Sequence, residues 1–118
     1  MPQGEAPAAA LAPGEVVWVQ PEVAVGREQA GRRPLLVVAG GGYLQTVDTL
    51  ALVIGITSVD RGWPNHIEVT GTQLEHRSWA MSEQIRTISR ERVIGRAGRV
   101  NDATLAAVRT WLADFLDL

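Results

Sequence analysis

Short apolar runs cut by Gly and Pro fill most of this chain, and helical periodicity occurs once, at its end. That order constrains the fold more than any other feature. Residues 15–20, EVVWVQ, are rich in Val and carry a Trp, which predicts a strand ended by Pro21. A polar, Gly-containing loop follows over residues 21–32. Residues 33–39, RPLLVVA, enter a second strand through Pro34, and their unbroken apolar run predicts burial on both faces. Gly40-Gly41-Gly42 predicts a stop, because three glycines cost too much entropy inside an element. Residues 49–57, TLALVIGIT, form a third apolar run, and residues 58–64 a turn with Gly62 and Pro64. The alternation over residues 66–70, HIEVT, predicts a fourth strand with one wet face. Residues 78–82 predict a fifth strand, residues 87–93 a short helical turn, and residues 94–100 a weak sixth strand. Asn101 then offers an N-cap, with Asp102 at the positive end of the helix dipole. Leu105, Val108, Leu112 and Phe115, with Trp111 and Leu116, recur at helical spacing, so residues 101–116 read as an amphipathic helix. The expected fold is mainly β with a C-terminal helix: a small barrel or strongly bent sheet closed by that helix. The alternating strand–helix order of a doubly wound fold is absent.

At 118 residues the chain has room for one domain, and a domain of this size buries about two-thirds of its unfolded surface without staples. Having no Cys, it has no disulfides, no Cys-ligated zinc and no thiol nucleophile. Two histidines, His66 and His76, are too few for a His-rich metal site. Residues 1–13, MPQGEAPAAALAP, are Ala/Pro-rich without a basic n-region, which predicts a disordered tail or an upstream extension rather than an export signal. The folded domain is expected over residues 14–118, with no run long enough to span a bilayer.

A net charge of −2 argues against a nucleic-acid partner only in bulk. The first 22 residues carry three acids and no Arg, and the last 18 carry three Asp against Arg109. Between them lie ten Arg against seven acids, a surplus of +3, with no Lys anywhere in the chain. Guanidinium forks suit phosphate recognition, and a GC-rich genome also accounts for Arg in place of Lys.

Candidate chemistry concentrates in three places. In G26-R-E-Q-A-G-R-R-P34, Pro34 pushes Arg33 toward an extended backbone at the mouth of a buried strand. Arg33 there either clamps a phosphate or, with Arg32, forms a solvated pair for Glu28. Thr57-Ser58 ends the third strand, where hydroxyls either satisfy turn amides or donate to a phosphate. Glu83-Gln84-Ile85-Arg86-Thr87 follows the fifth strand, and Glu83 and Arg86 are either a local ion pair or part of a site. Phosphate loops, nucleophile elbows and dinucleotide fingerprints do not occur.

Taken in order, E-V-V-W-V, G-x-E-Q-A-G-x-R-P-L-L-V-V, I-T-S, E-Q-I-R-T-I and a closing amphipathic helix resemble the MazF/PemK family of type II toxins from about residue 14 to 118. The resemblance implies a small SH3-like barrel, a homodimer, and a cytoplasmic toxin neutralised by a cognate antitoxin whose flexible acidic segment occupies the RNA groove. It implies a sequence-specific endoribonuclease (an mRNA interferase) that cleaves single-stranded RNA without metal or other cofactor and without a membrane partner. Carried over by position, the catalytic pair falls on Arg33 and Thr57, and RNA contacts fall on Glu28, Gln29, Arg32, Ser58, Gln84 and Arg86. Attack by the RNA's own 2′-OH would give a 2′,3′-cyclic phosphate and a 5′-hydroxyl. Arg33 then either protonates the leaving oxygen or acts electrostatically, with Glu28, Glu83 or water moving protons. Met81 stands where some relatives carry an Arg two residues before the acid, Gly55 where many carry Pro, and Glu22-Val23 where many carry Asp-Pro. Two alternatives share the barrel: a toxin that inhibits gyrase by contact, using apolar C-terminal residues such as Trp111, Leu112 and Phe115, and an inactive interaction barrel.

Overall fold

The computed structural model describes residues 10–21 and 31–118. Its elements are β1 (Glu15–Val19), β2 (Arg33–Val37), α1 (Gly41–Thr46), β3 (Leu50–Thr57), β4 (His66–Glu68), β5 (Trp79–Ser89), a 3-10 turn (Arg90–Arg92), β6 (Val93–Arg99) and α2 (Asp102–Phe115). The strands form one antiparallel sheet in the order β4-β5-β3-β2-β1-β6. Past β4, Thr72 bridges Gly98, and the Gln73 amide donates to the Ala97 carbonyl at 2.8 Å. That contact brings the chain after β4 onto β6 and closes the sheet into a barrel. Gly98 adopts φ +96° there, and a Cβ would sit 3.4 Å from the Thr72 backbone, so this close approach suits glycine.

The unbroken apolar runs have the expected cause. β1, β2 and β3 bury side chains on both faces. One face, with Val16, Leu36 and Ile54, packs under α2 against Leu105, Val108 and Leu112. The other, with Val17, Val19, Leu35, Val37 and Val53, packs against Leu11 and the α1 residue Leu44. Asn101 caps α2 as its sequence predicts: its side chain accepts from the Thr104 amide at 2.8 Å. Phe115 and Leu116 do not join the core; they are 47% and 55% exposed.

Four expectations need correction. Residues 10–13 belong to the fold rather than to a tail, since Leu11 is buried and the Ala10 and Pro13 carbonyls accept from Arg96 and Arg99. Gly40-Gly41-Gly42 stops β2 but opens α1, with Gly40 in the N-cap position. Two glycines at helix positions cost about 1 kcal/mol each, and tertiary contacts offset this. Leu44 is buried, and the Arg90 guanidinium donates to the carbonyls of Leu44 in the helix, Val47 at its C-cap and Leu50 at the start of β3. Strand β5 runs to Ser89, well beyond residue 82, because it pairs with β3 along its length. The helical turn shrinks to Arg90–Arg92. Ile54 pairs with Ile85 while Gly55 pairs with Met81, so Ser82, Glu83 and Gln84 bulge out of the ladder. That bulge breaks the period-two alternation by which a strand is read from sequence.

Candidate nucleic-acid interface

Arg33 opens β2, exposed, beside Val19 of β1. Leu35 faces Gly55 and Val37 faces Val53 across β2 and β3. The β2–β3 ladder ends at Leu35 and Gly55, and Arg33 and Thr57 each lie two residues beyond it, at the same end of the two strands. Two distant stretches of sequence thus meet at one end of the barrel. The Thr57 hydroxyl accepts from the Val59 amide at 3.1 Å, the local turn contact expected of a strand-end hydroxyl. As an acceptor there, it keeps its own proton to donate.

Two depressions flank this pair and share Pro34 and Ile56 as the ridge between them. The smaller, about 270 Å³, is lined by Arg33, Gln84 and Arg86 together with Gly55 and Met81. The larger, about 680 Å³, is lined by Arg32, Thr57 and Ser58 and by Trp18, Glu75 and His76. The predicted residues therefore fall into two groups on either side of one ridge. The Arg32 guanidinium lies 4.1 Å from the centroid of the Trp18 ring, within cation–π range. Trp18 and this stack were missed in the sequence, where Trp18 reads as strand core. Glu28 and Gln29 lie outside the described residues.

Glu83 lines neither depression. It turns toward β4, where its carboxylate meets His66 Nε2 at 3.0 and 3.1 Å and accepts from Asn65 Nδ2 at 2.7 Å. A carboxylate only accepts, so His66 Nε2 carries the proton. Burial pushes the Glu83 carboxyl up, but hydrogen bonds from His66, its own backbone amide and Asn65 outweigh it and hold the group below its ordinary value. The His66 side chain is only 2% exposed, and its Nδ1 has no hydrogen-bond partner in the described structure. Glu83 is thus paired with His66 rather than with Arg86. On the barrel surface, Arg77 grips Glu68 through two bonds of 2.9 and 3.0 Å, lowering the Glu68 carboxyl.

A family model described as PemK-like, MazF-like toxin of type II toxin-antitoxin system matches residues 12–116. No curated protein sequence matches significantly. Among solved structures, a MazE–MazF complex from Deinococcus radiodurans superposes with a TM-score of 0.77 at 25% identity, covering 92% of this chain and 96% of that one. MazF from the same organism gives 0.73 at 27% identity, covering 92% and 97%. An endoribonuclease in complex with its cognate antitoxin, from Mycobacterial species, gives 0.72 at 20% identity, covering 92% and 97%, a likeness of fold. The barrel, its terminal helix and the family match together place this chain in the PemK-like, MazF-like toxins of type II toxin–antitoxin systems.

Proposed function

We propose that this toxin is a sequence-specific endoribonuclease that cuts single-stranded RNA, messenger RNA included, by attack of the RNA's own 2′-oxygen. What supports this reading is that Arg33 and Thr57 stand at the same end of β2 and β3, Arg33 lining one polar depression and Thr57 the other across the Pro34–Ile56 ridge. A phosphodiester laid across that ridge has a guanidinium and a hydroxyl donor to its oxygens. The P–O2′ bond forms as the P–O5′ bond breaks, leaving a 2′,3′-cyclic phosphate and a 5′-hydroxyl. Arg33 offsets charge on the phosphorane and Thr57 orients a non-bridging oxygen. A guanidinium has no proton to spare for transfer and stays charged, so Arg33 acts electrostatically; the 2′-OH proton leaves through Glu28, Glu83 or water, and water protonates the departing 5′-oxygen. Glu83 is turned toward β4 and engaged by His66 and Asn65, which favours Glu28 or water over it as the proton acceptor. Gln29, Ser58, Gln84 and Arg86 contact the RNA on either side of the cut.

The toxin acts as a cytoplasmic homodimer, and its partner is an antitoxin whose acidic segment lies in the same groove; the MazE–MazF complex of the relative supports this partnership. No helix of the described residues is long and apolar enough to cross a membrane. Mapping the ends of cleaved RNA tests the reading: 2′,3′-cyclic phosphates and 5′-hydroxyls are expected, and 3′-hydroxyl ends would overturn it. The exposed Phe115 and Leu116 favour one second reading, inhibition of gyrase by contact. A supercoiling assay separates the two, since the ribonuclease leaves gyrase active.

A further inference from the structure

We propose that the larger depression is a nucleobase pocket, in which the Arg32 guanidinium, laid on Trp18, is the platform for one unpaired base next to the scissile phosphate. The inference rests on the reading that the Arg33–Thr57 ridge holds that phosphate. Arg32 Cζ lies 4.1 Å over the Trp18 ring centroid, so the indole covers one side of an otherwise exposed guanidinium. A guanidinium plane with one face covered presents the other, and unpaired bases stack on such planes as they do on aromatic rings. Holding the platform in advance cuts the ordering cost of binding.

The position fits an adjacent nucleotide. Pro34 and Ile56 form the ridge and also line this depression, as does Thr57, so a strand pinned at the ridge reaches the pocket within one nucleotide. The volume, about 680 Å³, lies within the range of small-molecule sites, about 300–1,000 Å³. Its walls suit a base edge. Glu75 accepts, Ser78 and His76 donate or accept, and Gln73 does both, so a purine and a pyrimidine meet different partners. The Ser78 hydroxyl already donates to the His76 carbonyl at 2.9 Å, which fixes that wall. Arg96, also on the lining, is held by Glu15 at 3.1 Å and by the Ala10 carbonyl at 3.0 Å, which leaves Arg32 as the cation set for stacking. Base preference beside the cut is then a property of Arg32, Trp18, Gln73, Glu75 and His76, apart from the cleaving pair.

Titration with each of the four ribonucleoside 5′-monophosphates, followed by the Trp18 indole N–H resonance and assigned with Trp18→Phe, tests the pocket directly. At least one nucleotide should shift that resonance saturably. Losing one stacking plane should weaken binding about tenfold in Arg32→Ala, while Asn101→Ala, at the α2 cap, keeps the Trp18 shift. Mapping cut sites on long RNA adds a second arm, in which Arg32→Ala and Glu75→Gln change the base preferred beside the cut. A Trp18 resonance that no nucleotide moves, or one that moves equally in Arg32→Ala, overturns the pocket. RNA left intact by the unaltered protein overturns the ribonuclease reading instead, and the Trp18 titration still decides the pocket.

Discussion

The imidazole of His66 meets the carboxylate of Glu83 at 3.0 Å across β4 and β5, with the histidine side chain sealed from solvent and the acid at its outer edge. His66 faces Met81 in the β4–β5 ladder, so Glu83, two residues further along β5, is its diagonal neighbour on the same face. Replacing Glu83 by Ala leaves a buried ring N–H unpaired beside an Nδ1 that has no bond either. A cost of about 1–3 kcal/mol is expected for such a group. Urea unfolding of Glu83→Ala should show it, whereas Glu83→Gln, which still accepts, loses less.

The same pair sets an acid limb. The Glu83 carboxyl is held below its ordinary value in the fold, so its share of stability is present above the unfolded value, about 4.3, and drains away as pH falls through the lower folded one. Stability measured from pH 6 down to 3 should fall, and Glu83→Gln should flatten that slope. An unchanged slope in the variant would show that Glu83 is not the group titrating.

Arg90 clamps α1. It is buried, and its guanidinium donates to the carbonyls of Val47 at 3.0 Å and Leu50 at 2.9 Å as well as to that of Leu44. Arg90→Met fills the space but leaves those carbonyls unpaired. A loss of about 2–3 kcal/mol or more is expected, with amide exchange accelerating first over Gly41–Thr46. Lys at this position restores only part, because one ammonium cannot span the fork's three directions.

The helix cap provides a milder test away from the site. Asn101→Ala removes the 2.8 Å bond to the Thr104 amide and the 3.0 Å bond from Nδ2 to the Thr70 hydroxyl. About 1 kcal/mol of stability should go, with RNA cleavage at unchanged rate below the unfolding temperature.

What could be read in the sequence follows the range of the forces involved. The double-sided burial of residues 35–37 and the cap at Asn101 are local, and both are visible as an apolar run and a capping residue. The α1 helix is not, because its glycines argue against it and its support comes from Arg90, more than forty positions away. The extent of β5 is hidden by the exposed residues 83–87, whose polarity reflects a bulge rather than a loop end. At the site, Arg33 is marked by the Pro34 that follows it and Thr57 by its place at a strand end. Their juxtaposition needs the β2–β3 register. The stack of Arg32 on Trp18 and the His66–Glu83 pair join residues 14 and 17 positions apart through the barrel's curvature, which no local pattern records.

Cleavage of long single-stranded RNA in EDTA, with Arg33→Ala beside the unaltered toxin, tests the central claim most directly. Losing one transition-state charge contact costs about 10²–10³ in rate. Discrete cuts ending in cyclic phosphate are therefore expected from the toxin and a loss of that order from the variant, with its fold intact by circular dichroism. RNA left intact by the toxin, or cut equally fast by Arg33→Ala, would contradict it.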